Sequence, residues 1–423
     1  MLKERDKKYV WHPYTQMKNA PDNIVVKRAK GALFWDENEK EFIDAVSSWW
    51  VNVHGHSHPL IAERIYEQFL KLEHIIFAGC THEPAVNLAE KLIELTKIND
   101  GKVFYTDNGS TAVEVALKMA IQYFQNTGEP KKKRILALEG AYHGDTFGSM
   151  SVSQRSVFTQ SFNDYLFEVD FLPFPDQKNI ENFKKRVIEE LEKGNVAAFI
   201  FEPLVQGAGG MKMYPAEVLE FMINSSKKYG ALSIADEVMT GFGRTGKMFA
   251  FQHTQSLPDI ICLSKGITGG CMPLGVTISN KKVYDSFLDE SKQKTLFHGH
   301  SFTANPLSCT ASLASIEIFE EKSLVEYQSK ILDFYDSFSK KIANNRKIEN
   351  LRKCGTILAF DIKTDNKTSY LNNIRDFIYN FYIEKGLMVR PLGNVIYFMP
   401  PYVIEEKSLQ KLEKNTLELI DKV

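Results

Sequence analysis

The stretch ALSIADEVMTGFGRTG (231–246) runs from an apolar segment into two adjacent carboxylates, Asp236 and Glu237, and then into a glycine-rich turn. A strand with one wet face alternates polar and apolar residues. This one is apolar almost throughout, so both of its faces need cover. Four more runs share the pattern: KVFYT (102–106), RILALEG (134–140), AAFIFEPLV (197–205) and DIICLSKG (259–266). Between them lie amphipathic stretches of helical period, TAVEVALKMAIQYFQ (111–125), IENFKKRVIEELEKG (180–194) and PAEVLEFMINSSKKYG (215–230). Strands buried on both faces and separated by helices predict an α/β fold with a mostly parallel sheet.

The two ends of the chain read differently. Residues 24–46 alternate as hairpin strands, with Asp36-Glu37-Asn38 at a turn. Residues 310–345 carry a helical pattern, and 355–400 mix strands with a helix. A length of 423 residues is more than one ordinary domain needs. The economical arrangement is a central α/β lobe, with the terminal segments packed together as a smaller lobe and a cleft between the two.

Composition excludes several classes. The formal net charge is −1, so no overall field draws nucleic acid or an anionic membrane. The basic run Lys131-Lys132-Lys133-Arg134 reads as solvated loop charge. The five cysteines are odd in number and lack CxxC spacing, which argues against a disulfide framework or a metal site and suits a reducing cytoplasm. The opening MLKERDKKYVWHPYTQ has no apolar core of a signal peptide, and no apolar run approaches a membrane span. A soluble cytoplasmic protein is expected.

In an open α/β sheet, chemistry gathers at the carboxyl ends of the strands. One strand ends at Thr106-Asp107-Asn108-Gly109-Ser110, where a helix begins. Free N–H groups and the helix dipole make Gly109 and Ser110 a seat for phosphate, although an ordinary helix cap would look the same. Asp236 closes a second strand. A carboxylate buried there needs a partner, either loop N–H groups or the protonated ring nitrogen of a cofactor. Lys265 closes a third and is followed by glycines. A buried lysine is costly unless its charge is paired or removed, and a Schiff base with an aldehyde removes it; a surface lysine is the bland alternative. Together these are the three needs of pyridoxal phosphate. GAYHGDT (140–146) adds Tyr142, which could stack on its ring, with His143 and Asp145 close by.

SSWWVNVHGH (47–56) poses a packing question. Two of only four tryptophans stand side by side, and neighbours in a strand point to opposite faces. Either the strand is buried on both sides, or one or both indoles of Trp49 and Trp50 form the wall of a pocket.

Over nearly its full length the chain resembles the fold-type I, class III (ω-amino) aminotransferases. The resemblance rests on FYTDNGSTAVEVALKMA, GAYHGDT, FEPLVQGAGGM, ADEVMTGFGRTGKMFAFQH, LSKGITGGCMPLGVT and HGHSFTANPLSC. It implies a large domain with a mostly parallel seven-stranded sheet between helices, plus a smaller α+β domain built from both termini. The implied division is 1–50 and 311–423 for the small domain and 51–310 for the cofactor-binding one. It also implies pyridoxal 5′-phosphate as cofactor, with Lys265 as the Schiff-base lysine and proton shuttle and Asp236 on the pyridine nitrogen. Tyr142 would stack on the ring, Val238 would pack under it, and Gly109-Ser110 would hold the phosphate. Ser301, where relatives often have threonine, would reach the phosphate of a neighbouring subunit, which implies a homodimer.

Three outer blocks, WHPYTQM (11–17), SSWWVNVHGH and VRPLGNVIYFMPPY (389–402), resemble the biotin-pathway branch of this family. That likeness implies conversion of 8-amino-7-oxononanoate to 7,8-diaminononanoate, with S-adenosyl-L-methionine as donor. The VNVHGH context leaves lysine open as donor. Tyr14, Trp49 and Trp50 would wall the apolar substrate, with Tyr142, Gly299 and Tyr397 as further contacts and Tyr14 also in the catalytic set. Aromatic faces also suit a sulfonium. Arg390 would clamp the carboxylate through two parallel hydrogen bonds, or else form an ion pair with Glu202. Arg244 would order the glycine-rich turn. The competing readings are a broader ω-amino acid:pyruvate or 4-aminobutyrate-type aminotransferase, an aminomutase and a cofactor-binding regulator.

Overall fold

The structure is a computed structural model and describes residues 2–364, 372 and 374–423. A seven-stranded sheet runs in the order Lys102–Thr106, Gly275–Ser279, Ile260–Leu263, Leu232–Asp236, Val196–Phe201, Arg134–Leu138, Asp170–Leu172. Only Gly275–Ser279 runs against its neighbours. The apolar runs have a direct cause. Every residue of Val196–Phe201 and Leu232–Asp236 is buried. Phe199 and Phe201 face a layer that includes Phe183 and Val187 of helix Ile180–Leu191 and Leu219 of helix Ala216–Lys228. Ala198 and Ile200 join the opposite layer, with Ala112, Val113 and Ala116 of helix Gly109–Asn126. The strand's period of two thus serves two apolar layers.

Both chain ends build further sheets. Val26–Lys30, Leu33–Asp36 and Glu41–Asp44 form the expected antiparallel hairpins, and Leu387–Met388 pairs parallel with Glu41–Asp44. Ile348–Cys354, Ile357–Ile362 and Val395–Phe398 make a three-stranded antiparallel sheet. Helices Leu324–Ile342 and Glu406–Lys422 pack there through Tyr335, Phe338, Leu412 and Leu419. Residues 365–371 and 373 of the mixed 355–400 stretch lie outside the described residues. Among the described residues no helix is long and apolar enough to cross a membrane.

The paired tryptophans do not lie in a strand. Ser47, Ser48 and Trp50 take positive φ of 52°, 60° and 67°, and the segment Ser47–Trp50 is a tight irregular turn. A strand would have sent the two indoles apart; the left-handed turn lets both border one cavity.

Because the strands before Asn108, Gly140, Glu202, Glu237 and Ser264 run parallel, their carboxyl ends share one edge. Gly275 sits opposite Thr106 there. A Cβ at Gly275 would collide with the Asn108 carbonyl oxygen and Thr106 Oγ1. Gly275→Ala should therefore destabilise the protein by about 1–3 kcal/mol and disturb the helix start at Gly109, read as a lowered denaturation midpoint.

Candidate active site

A cavity of about 420 Å³ opens at that edge. Lys265, Asp236, Gly109, Ser110, Tyr142 and Val238 all border it. So do Tyr14, Trp49, Trp50, Arg390 and Tyr397, which come from the two chain ends. Residues more than 380 positions apart therefore face one space. Gly299 and Ser301 do not border it: both lie exposed on the surface of this chain.

Asp236 is buried, and its Oδ1 accepts the Val238 N–H at 3.1 Å. Its Oδ2 lies 2.6 Å from Nδ1 of His143, which is itself buried. The expected loop N–H is thus present, together with an imidazole partner that the motif alone did not disclose. The His143 backbone N–H donates to Ser153 Oγ at 2.8 Å, which fixes the ring's approach.

Lys265 opens a short 3₁₀ turn with φ of 49°, and its ammonium sits 4.6 Å from the centre of the Trp50 ring. Burial pushes its pKa down to about 8, while Asp236 and Glu202 act in the opposite direction. Roughly a tenth of the amine is thus neutral at pH 7, far more than for a surface lysine, and a nucleophile or proton carrier needs that form. Glu202 is buried, and its two oxygens accept the N–H groups of Tyr142 (3.0 Å) and Gly207 (2.8 Å). Burial pushes its carboxyl up to about 7. This carboxylate organises two backbone turns and forms no ion pair with Arg390 among the described residues.

The helix start is capped by Asn108, whose side chain accepts the Thr111 N–H at 3.0 Å. That cap leaves the first N–H groups, at Gly109 and Ser110, for an anionic ligand. A Cβ at Gly109 would lie 2.7 Å from Val238 Cγ1, so only glycine lets the helix start and the valine share this floor.

On the aromatic side, Tyr14 Oη donates to Asp145 Oδ2 and lies 3.1 Å from Tyr142 Oη. Burial, followed by the Tyr14 contact, raises the Tyr142 phenol well above its ordinary pKa, so it stays protonated. The rings of Trp49 and Phe158 each pack 5.7 Å from that of Tyr14. Trp50 Nε1 donates to Tyr397 Oη at 2.9 Å, and the Arg390 guanidinium lies 4.7 Å from the centre of the Trp49 ring. Trp50 is buried, whereas Trp49 is 40% exposed. Arg244, fully buried, donates to the carbonyls of Pro400 (3.1 Å) and Trp50 (3.4 Å) and so ties the glycine-rich turn to the tryptophan turn.

Phe158, Ser48, Met239, Arg375 and Leu392 also border the cavity and were not singled out from the sequence. Their types match ordinary core or surface residues, and no local spacing marks them.

The depressed Lys265 pKa gives a direct expectation. On ligand-free protein, labelling of Lys265 by an amine-directed electrophile should reach half its limiting rate near pH 8, about two units below surface lysines. Asp236→Asn removes a charge that favours the ammonium and should move that midpoint lower. Peptide mass spectrometry across pH reads both.

Comparison with known proteins fits this geometry. The family model for class-III aminotransferases matches residues 14–420. The adenosylmethionine-8-amino-7-oxononanoate aminotransferase of Synechococcus elongatus is 45% identical, covering 98% of this chain and 99% of that protein. The crystal structure of the enzyme of that name from Methanocaldococcus jannaschii superposes with a TM-score of 0.94 at 35% identity, over 100% of this chain and 99% of the other. The ω-transaminase from Pseudomonas jessenii in complex with PMP gives 0.92 at 28% identity, over 100% and 98% of the two chains. The chain belongs to the class-III aminotransferases.

Proposed function

We propose that this aminotransferase uses pyridoxal 5′-phosphate to convert 8-amino-7-oxononanoate to 7,8-diaminononanoate in biotin biosynthesis, with S-adenosyl-L-methionine as amino donor. The observation that carries the substrate is the aromatic wall that begins beside the lysine. Two indoles and Tyr14 line it, with the Arg390 guanidinium stacked on the outer indole. A long apolar chain ending in a carboxylate matches that order of surfaces. The relatives named above for this reaction support the same reading.

The residues present fit the cofactor. Gly109 and Ser110 would hold its phosphate, Asp236 its ring nitrogen, Tyr142 and Val238 its two faces, and Lys265 its aldehyde carbon. When bound, pyridoxal phosphate supplies a carbonyl for the amine and a ring that takes up the electron pair released at the donor's Cα. Asp236, steadied by His143, holds a proton on the ring nitrogen. Lys265 Nζ takes the proton from the donor's Cα and returns one to the acceptor carbon on the way back. The aromatic wall and Tyr142 exclude water from that exchange. Arg390 orients the substrate by its far end.

The proposed working unit is a homodimer in the cytoplasm. Gly299 and Ser301 lie exposed beside Phe297 and Phe302, which are 76% and 59% exposed, a surface suited to serving a second copy's site. The five cysteines are free, in keeping with a reducing compartment.

Product analysis by mass spectrometry with 8-amino-7-oxononanoate should show the diamine with S-adenosylmethionine as donor. Conversion with lysine alone would replace the donor, and no conversion with either would refute the substrate. Arg390→Ala should raise KM for the amino-oxo acid roughly 10- to 100-fold with a smaller change in kcat, the cost of losing a charge-assisted pair. Steady-state kinetics reads the split.

A further inference from the structure

Three of the four residues in Ser47–Trp50 hold left-handed backbone, a conformation that costs a side-chain-bearing residue about 1 kcal/mol or more. Such a turn persists only where its surroundings over-determine it. One restraint at its start is a carboxylate. Asp44 ends the strand Glu41–Asp44, is 1% exposed and does not border the cavity. Its Oδ1 accepts the Val46 N–H at 3.1 Å, and its Oδ2 accepts the Ser48 N–H at 2.6 Å. The same Oδ2 lies 2.8 Å from His56 Nε2. His56 is seated in turn by two backbone bonds with Gly31, of 3.1 and 2.7 Å. Ser47 Oγ adds a bond to the Met399 carbonyl at 2.8 Å.

The consequence falls on the substrate wall. Ser48, Trp49 and Trp50 all border the cavity, and the two N–H groups that Asp44 takes, at Val46 and Ser48, belong to the residues that lead the chain into both indoles. We propose that Asp44, seated by His56, is the positioning residue that keeps both indoles on one wall and so sets the affinity of the site for long apolar chains. This rests on the aminotransferase reading above, because amines serve as the probes. Asparagine has the shape of aspartate but turns one acceptor into a donor. Facing the N–H of Val46 or Ser48, that donor breaks one restraint.

The test uses holoenzyme and a series of straight-chain primary amines from butylamine to nonylamine, which carry no carboxylate for Arg390. The change in the cofactor's absorbance gives a limiting rate and an apparent Kd for each amine. In the wild type, affinity should rise with chain length, by up to roughly fourfold per buried methylene. Asp44→Asn and His56→Leu should lose most of that slope while butylamine keeps its limiting rate. His56→Gln, which retains an N–H for Asp44, should preserve the slope. A general loss of folding would instead lower every rate alike. The inference is overturned if the wild type shows no slope, or if Asp44→Asn keeps it. It is equally overturned if His56→Gln and His56→Leu behave alike, a comparison that decides the matter even where Asp44→Asn does not fold. A wild type with the full slope that leaves 8-amino-7-oxononanoate unconverted would remove the proposed substrate, while the variants still judge the turn.

Discussion

Strands apolar on both faces need helices on both faces, and that cover forces the chain to cross back between most strands in parallel. The parallel run gathers the carboxyl ends of strands from Lys102–Thr106 to Ile260–Leu263 along one edge. Everything chemical in the molecule depends on that alignment. Lys265, Asp236, Glu202, Tyr142 and Gly109 sit at or just past the carboxyl ends of five separate strands and meet because those ends are aligned.

Gathering ionisable groups in a largely apolar edge carries an electrostatic penalty, and the site handles it locally. Asp236 is met by an imidazole and a backbone N–H. Glu202 takes two backbone N–H groups and has its carboxyl pushed up to about 7 by burial. Lys265 yields part of its charge. The buried Arg244 donates to two carbonyls that belong to different chain ends. Each of these bonds also fixes a turn, so the groups poised for chemistry and the loops that shape the cavity are restrained by the same contacts.

The parts legible in the sequence were those whose signal is local. Apolar runs marked five of the seven strands of the large sheet and helical periods marked the helices between them, while the short Asp170–Leu172 and the antiparallel Gly275–Ser279 were not among those runs; strand-end positions marked Asp236, Lys265 and the Gly109 turn. The paired tryptophans were legible as a question, with an answer hidden from local pattern. β-propensity reads Trp49 and Trp50 as strand residues, whereas the structure sets them in a tight turn in which Ser47, Ser48 and Trp50 hold strained left-handed backbone. The restraint comes from Asp44, His56 and the Met399 carbonyl, and part of that set lies more than 340 residues away. His143 was legible as a neighbour of the site, without its bond to Asp236. Phe158 and Arg375 gave no sign at all, because a lone aromatic in a loop and an arginine on a helix carry no spacing that sets them apart.

By itself the sequence determined the α/β architecture, the strand ends on which chemistry could sit and the family to which those motifs belong, because each is written in contiguous residues. Tertiary structure alone decided that the two chain ends wall the same cavity, that Glu202 serves backbone N–H groups instead of Arg390, and that both indoles border that cavity. Those outcomes depend on distances between residues far apart in the chain and on backbone strain that only the packed fold can hold.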